Sequence, residues 1–267
     1  MNMLVNILIA AVIIGVTGCL IGFLLCLASE KFKVEVDPRE EKILGVLPGN
    51  NCGGCGYPGC SGLAAAIAKG EAPVNQCPVG GAPVAAQVGE IMGVDAGDQV
   101  RMMAYVRCSG NCEKAKNNYS YTGVEDCNAM AFVPGGGPKA CKYGCLGFGS
   151  CVKACPFDAI HVVDGIAVVD KEACKACGKC VATCPKHLIE LIPYEATEVV
   201  SCRNEDKGKD VMAVCSTGCI ACHLCEKQCE SDAIHVENNI AYIDQSKCTH
   251  CGKCAEKCPK KIIKVLG

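Results

Sequence analysis

The chain has no tryptophan, and aromatic residues make up only 4% of its 267 positions. It also carries no P-loop, no G-x-G-x-x-G between a strand and a helix, and no catalytic triad signature. Nucleotide reduction is therefore expected on another polypeptide, and no side chain here is assigned a catalytic role. Charge of one sign is missing too: 26 Lys and Arg against 28 Asp and Glu give a formal net charge of −2. That balance points to no particular partner and gives no reason to expect nucleic acid. The opening residues Met1, Asn2 and Met3 lack the basic stretch that starts a secretory signal peptide.

What is present is cysteine, 27 residues of it. An odd count, with triplets this closely spaced, argues against disulfides, because most of these cysteines would pair only with strain. The spacing Cys174-x-x-Cys177-x-x-Cys180-x-x-x-Cys184-Pro185 recurs as Cys248, Cys251, Cys254, Cys258 and Pro259. This is the pattern of bacterial-type iron–sulfur proteins, in which three cysteines wrap one cubane and the fourth reaches a neighbouring cluster. Structural zinc generally uses two pairs across a loop, so it stays a rival mainly for the irregular cysteines. Thiolates held this way imply a reducing compartment.

Residues 3–28 contain no charged side chain, a run long enough to cross a hydrocarbon core as one helix. Gly18 and Gly22 offer a close-packing face against another helix. Lys31, Lys33, Arg39 and Lys42 all follow the span. By the positive-inside tendency, the C-terminal bulk is expected on the cytoplasmic side of the inner membrane, anchored by a single pass. Val16, Thr17, Gly18 and Cys19 resemble a lipoprotein cleavage box, but the apolar run continues past it. Cys19 and Cys26 are expected to be small apolar residues of the helix with no ligand role.

Five segments follow from the pattern: a transmembrane anchor (1–29), a four-cysteine iron–sulfur domain (30–100), a cysteine-containing linker (101–138), and two tandem bacterial-type two-cluster ferredoxin units (139–195 and 196–267). The expected fold class is α+β, in small domains organised by their clusters. Asp37, Pro38 and Glu40 mark a helix start with Asp37 as N-cap and Glu40 placed for a capping box, and the helix stops at Pro48 and Gly49. Cys52, Cys55, Cys60 and Cys77 form one complete ligand set, with glycines between them that let backbone amides approach cluster sulfurs. An amphipathic helix is expected from Ala82 to Gly97, and Gly135, Gly136, Gly137 and Pro138 read as a hinge.

An internal repeat at an offset of 74 residues maps Cys145, Cys151, Cys155, Cys174, Cys177, Cys180 and Cys184 onto Cys219, Cys225, Cys229, Cys248, Cys251, Cys254 and Cys258. Each copy carries two strands around a turn, Asp164 and Gly165 in the first, Asn238 and Asn239 in the second. Cross-ligation groups Cys174, Cys177 and Cys180 with Cys155, groups Cys248, Cys251 and Cys254 with Cys229, and groups Cys219, Cys222 and Cys225 with Cys258. The first copy has Phe148 where its remaining triplet needs a cysteine. The expected substitute is Cys141, giving the set Cys141, Cys145, Cys151 and Cys184. Five 4Fe-4S clusters are therefore expected. A sixth, from Cys108, Cys112, Cys127 and either Cys202 or Cys215, stays open against zinc or free thiols.

Glu230 replaces the proline after Cys229, and its carboxylate is expected to lower the potential of that cluster. None of the five histidines forms the paired pattern of a Rieske centre. From Lys247 onward, Lys247, Lys253, Lys257, Lys260, Lys261 and Lys264 face only Glu256. This basic patch either steers an acidic redox partner or is a solvated helix face.

The run Leu47, Pro48, Asn51, Cys52, Cys55, Tyr57, Pro58, Gly59 and Cys60, followed by an alanine-rich helix, Gly70, Glu71, Cys77 and Pro78, resembles the iron–sulfur domain that follows the membrane anchor in the B subunit of the Rnf complex. With the ferredoxin repeat included, the resemblance covers nearly the whole chain. It implies an electron-relay subunit of a membrane-bound ferredoxin:NAD oxidoreductase that couples electron transfer to sodium or proton translocation. Electrons would then enter from soluble ferredoxin at the C-terminal clusters and leave through the N-terminal domain toward other subunits. The alternative is a related membrane assembly that keeps a redox-sensing transcription factor reduced.

Overall fold

The computed structural model describes residues 2–31 and 37–266; Lys33, used above for orientation, lies outside them. Helix α1 (Asn2–Lys31) contains Ala11–Ala28, long and apolar enough to cross a membrane. Its large side chains, among them Val12, Leu20, Phe23 and Leu25, are exposed.

Three helices then build the first domain. α2 (Pro38–Val46) starts where expected, because Asp37 accepts from the Arg39 N–H at 2.8 Å and Pro38 occupies the first turn. α3 (Cys60–Ala68) begins on Cys60 itself. α4 (Gly81–Met92) is shorter than the expected 82–97, because Gly93 turns left-handed (φ 69°) and donates its N–H to Gly89 O. Ile43, Leu47, Leu63, Ile67 and Val88 close the core between these helices.

The remainder is one plan used twice. In the first copy β1 (Met102–Val106) is the antiparallel partner of β4 (Ile189–Pro193), with Val106 opposite Ile189, while β2 (Ile160–Val163) and β3 (Ile166–Val169) form a hairpin. The single-turn helices α5 (Ser150–Ala154) and α6 (Lys179–Thr183) lead into Cys155 and Cys184. In the second copy β5 (Glu198–Val200) pairs with β8 (Ile263–Val265), and β6 (Ile234–Glu237) with β7 (Ile240–Ile243). There α7 (Gly208–Val214) precedes Cys215, α8 (Leu224–Lys227) precedes Cys229, and α9 (Lys253–Lys257) precedes Cys258. Asp164, Gly165, Asn238 and Asn239 all take positive φ, the geometry of the type I′ turn whose twist suits a two-residue hairpin. Ile160, Leu188 and Ile192 centre the first core, and Ile234, Ile262 and Ile263 the second.

The segment 101–138, expected as a linker, opens with β1, which is paired into the first ferredoxin unit. That unit therefore begins with β1 and not at residue 139. Residues 107–144 intervene between the strand and Cys145, against 201–218 between β5 and Cys219, and the longer excursion disguises where the strand belongs. Inside it Asn117 bridges to Lys139, and Ala115 reaches out to Cys215 of the second unit. The glycines read as a hinge lie in a three-ten turn and the residue after it, with Gly137 packed on Leu146.

Candidate metal centres

In the N-terminal domain Cys55, Cys60 and Cys77 converge at the start of α3. Burial raises the Cys77 thiol, and Cys55 and Cys60 add to the shift. Asn51 Oδ1 accepts from the Cys60 N–H at 2.8 Å, Gln76 Nε2 donates to Cys55 O at 3.0 Å, and the Gly80 N–H donates to Cys77 Sγ at 3.4 Å. Cys52 lies near Cys177 of the first ferredoxin unit. Burial raises the Cys177 thiol and the nearby Cys52 contributes to it. Gly54 sits so close to the same neighbour that a Cβ there would stand 2.6 Å from Cys177 O. The domain thus meets the first ferredoxin unit directly where two cysteine sets adjoin.

Three further groups of cysteines lie together in the structure. Burial pushes the Cys180 thiol up to about 11, with Cys174, Cys177 and Cys155 adding to it. The N–H groups of Ala104 and Ala159 donate to Cys174 Sγ (3.3 Å) and Cys155 Sγ (3.4 Å). Cys219, Cys222, Cys225 and Cys258 line a cavity of about 340 Å³, counted to its mouth, where burial pushes Cys225 up to about 12. Cys229, Cys248, Cys251 and Cys254 line another of about 320 Å³, where burial and then Glu198 push Cys254 up to about 11.

The grouping of Cys141 with Cys145, Cys151 and Cys184 is not the one the structure makes. The fourth cysteine lining that cavity, of about 360 Å³, is Cys127. Burial pushes Cys151 up to about 12, with Cys145, Cys127 and Cys184 adding to the shift. A small network delivers Cys127. Asp126 accepts from the N–H groups of Asn128 (2.8 Å) and Ala129 (3.2 Å) and from Ser150 Oγ (3.0 Å), while Ser150 Oγ accepts from the Cys127 N–H at 2.8 Å. These bonds, that from Ser150 foremost, hold the Asp126 carboxyl below its usual range. Phe148 packs on Tyr121 of the same excursion, ring centroids 5.7 Å apart.

Cys141 instead lines a cavity of about 380 Å³ together with Cys108, Cys202 and Cys215. Two of these cysteines precede β2 and two follow β5, so the site spans the junction of the ferredoxin units. Burial pushes Cys202 up to about 11 and raises Cys141 and Cys215 as well, with Cys108 adding in each case. Arg107 also lines this cavity, and its buried Nε has no partner among the described residues. An anionic group held by the four cysteines would give it one. Of the irregular cysteines, Cys112 joins none of these sets; it is exposed, beside Gly165.

Sequence reasoning missed Glu198. Its side chain is 3% exposed, contacts His250 Nδ1 at 3.1 Å and lies 3.9 Å from Cys248 Sγ. Burial works to raise its carboxyl, but hydrogen bonds from Thr197 and His250 outweigh that and hold it below the usual range. Donor atoms of Glu198, Cys248 and His250 all lie within 4.8 Å of one another. Glu230, expected to be the influential carboxylate, is exposed and paired with Lys253, which offsets and screens it. The carboxylate buried beside that set is Glu198.

Each set offers sulfur donors in close surroundings, several with peptide N–H groups aimed at sulfur, which suits iron–sulfur clusters. Binding displaces the thiol protons that burial retains. Residues 47–79 match the family model described as "Putative Fe-S cluster", residues 149–195 the LdpA Fe-S cluster-binding domain, and residues 218–262 the 4Fe-4S dicluster domain. The chain is 50% identical, over 98% of its length and 78% of the relative's, to the B subunit of the Na(+)-translocating ferredoxin:NAD(+) oxidoreductase complex of Acetobacterium woodii. It is 45% identical, over 96% of both chains, to the B subunit of the ion-translocating oxidoreductase complex of Methanosarcina acetivorans. To the B subunit of the proton-translocating ferredoxin:NAD(+) oxidoreductase complex of Clostridium ljungdahlii it is 43% identical, over 100% of this chain and 94% of that one. With cysteine sets of this kind and likeness along its whole length, the chain belongs to the B-subunit family of ion-translocating oxidoreductase (Rnf) complexes, as an iron–sulfur protein.

Proposed function

We propose that this chain accepts electrons from reduced ferredoxin and relays them to other subunits of a membrane complex that reduces NAD and moves an ion. The observation that supports the reading is a series of cysteine groups along the chain, several of which adjoin one another. The Cys52 set adjoins the Cys155 set at Cys177. The Cys155 set shares the first ferredoxin unit with the Cys127 set, whose Cys145 N–H donates to Cys108 Sγ of the junction set at 3.4 Å. On the far side the Cys219 N–H donates to Cys202 Sγ at 3.4 Å, leading to the Cys219 and Cys229 sets. When bound, each cluster supplies reversible one-electron chemistry, and the chain's part is to hold the sets adjacent and shielded.

The C-terminal end is the entry side in this reading. Cys222 and Cys251 are exposed there, and the lysines around Cys251 favour an acidic carrier. The N-terminal set leads toward α1 and the membrane, with the cysteine domains on the cytoplasmic side. Relatives named for sodium and for proton translocation match this chain over similar extents, which supports placing the ion path on other subunits. The test is iron, acid-labile sulfide and zinc per chain on the full-length protein purified without oxygen. The expectation is about 24 iron with matching sulfide and no zinc. About 20 iron with stoichiometric zinc would take the junction set out of the series. In the intact complex, replacing Cys248, Cys251 and Cys254 together should stop ferredoxin oxidation; an unchanged rate would place electron entry elsewhere.

A further inference from the structure

We propose that Arg107 and Lys139 make the junction site the place where this chain holds an electron most strongly. The proposal rests on the reading that Cys108, Cys141, Cys202 and Cys215 carry a cluster. An added electron is an added negative charge, so the surroundings that best stabilise negative charge decide which set fills first. The junction cavity is lined by Arg107, Lys139 and Arg203, and by no acidic residue. Arg107 and Lys139 are only 6% and 8% exposed, so solvent and salt screen them little. Lys139 Nζ donates to a neutral carbonyl, Gly110 O, at 2.7 Å. Arg107 does meet a carboxylate, Glu190 at 3.3 Å, but that side chain is 38% exposed and lies outside the cavity lining. The cavities at three of the other sets are poorer in positive charge. The Cys127 cavity has Lys186, the Cys219 cavity has Lys260 beside His223, and the Cys229 cavity sets Lys253 against the buried Glu198.

A second observation points the same way, since hydrogen bonds to ligand sulfur also favour the more negative state. At the junction Asn204 Nδ2 donates to Cys141 Sγ (3.3 Å), and the N–H groups of Asn204 and Cys219 donate to Cys202 Sγ (3.5 and 3.4 Å). The Cys145 N–H donates to Cys108 Sγ at 3.4 Å. The Cys127 set receives two donors, from Ala167 and Leu188, the Cys155 set two, from Ala104 and Ala159, and the Cys229 set one from Ala233, with Ser231 Oγ 3.5 Å from Cys229 Sγ. Burial opposes all of this by penalising added charge. It is deeper at the junction, where Cys202 and Cys215 are buried, than at the Cys229 set, whose cysteines are half-buried or exposed; in this proposal the buried Arg107 and Lys139 outweigh that penalty. The first electron to enter the series therefore settles at its middle. Arg107 also donates to Ala241 O of the second unit at 3.4 Å, so the charge that sets this order comes from a residue that ties the units together.

The test is a potentiometric titration of the full-length, cluster-loaded chain followed by electron paramagnetic resonance, with iron counted on the same samples. Cys202→Ala should lose about four iron per chain, and with them the resonance that appears first as wild type is reduced. Arg107→Gln should keep its iron but show a reduced-to-oxidised ratio at that centre about tenfold lower at the wild-type midpoint, a shift of about 59 mV. Arg107→Lys, which keeps the charge, should restore the midpoint. Lys139→Gln serves with the same expectation if Arg107→Gln loses iron. Cys202→Ala with full iron would refute the junction cluster, and this proposal with it. Iron loss with the first resonance intact would leave the cluster standing and overturn only the claim that it fills first. An unchanged midpoint in the glutamine variants would do the same.

Discussion

Replacing Gly54 with alanine should separate the N-terminal domain from the first ferredoxin unit without removing a ligand from either. The new Cβ would lie 2.6 Å from Cys177 O, 2.9 Å from Cys177 Cα and 3.1 Å from its carbonyl carbon. Favourable contacts begin at about 3.5 Å, so relief asks for a displacement of about 1 Å. The obstruction is backbone, and no side chain can swing aside. Overpacking of this kind costs about 1–3 kcal/mol. Since Gly54 is not a ligand, the cost falls on docking, a shift of about 5- to 150-fold toward the separated state. Gly45→Ala is the control, because nothing lies within 4 Å of a Cβ at that site in α2 and alanine there should stabilise the helix by about 0.5–1 kcal/mol. Hydrogen exchange on the full-length protein reads both variants. In Gly54→Ala, amides of residues 52–56 and 174–178 should exchange faster together, at unchanged iron content. Electron transfer to the N-terminal set should slow in parallel. Wild-type exchange in both stretches would refute the direct meeting of these two sites.

The exchange of partners between Cys127 and Cys141 is tested by iron counts on double variants. Cys127→Ser with Cys145→Ser should lose about four iron, as either does alone, whereas Cys141→Ser with Cys145→Ser should lose about eight. Glu198→Gln should raise the potential of the Cys229 set. A unit charge about 6 Å away at an effective dielectric near 20 is worth roughly 3 kcal/mol, or somewhat over 100 mV, less what His250 offsets. Glu230→Gln should leave that potential in place, and equal shifts in both variants would contradict the assignment to the buried carboxylate. Asp126 supplies a pH dependence. Its folded carboxyl lies below the usual range, so its contribution is fully present above about pH 4 and is lost as pH falls through the lower folded value. Asp126→Ala should therefore show at neutral pH the loosened Cys127 set that wild type shows only in acid, read as loss of about four iron on desalting.

The regular sets are legible in the sequence because their ligands lie within one or two turns of chain, where spacing and geometry are nearly the same thing. Cys174, Cys177 and Cys180 need only the loop before α6, and the type I′ turns at Asp164 and Asn238 follow from local backbone preference. What spacing misreads is whatever loop closure delivers from far away. β1 is five residues of ordinary apolar sequence, and only its pairing with β4 shows that it belongs to a ferredoxin unit. Cys127 carries no local signal beyond the Asp126 and Ser150 network that places it. Assigning Cys141 to the incomplete set by nearness in sequence overlooked that Asn204 of the second unit holds its sulfur.

These misreadings have one origin. Phe148 stands where the first unit's triplet needs a cysteine, and the second unit keeps Cys222 at that place. A unit without its local ligand requires a remote one, and the excursion between β1 and Cys145 brings in Cys127. Once Cys127 completes that set, Cys141 is free to face the second unit. There Cys202 and Cys215 have no role in a set that Cys222 already completes. The four cysteines left over once the other sets are complete, two from each copy, are those that meet at the junction. With Phe148 at that place, Cys127 is drawn into the first unit's set and Cys141 faces the junction, so position 148 is bound up with how the two halves of the series are joined.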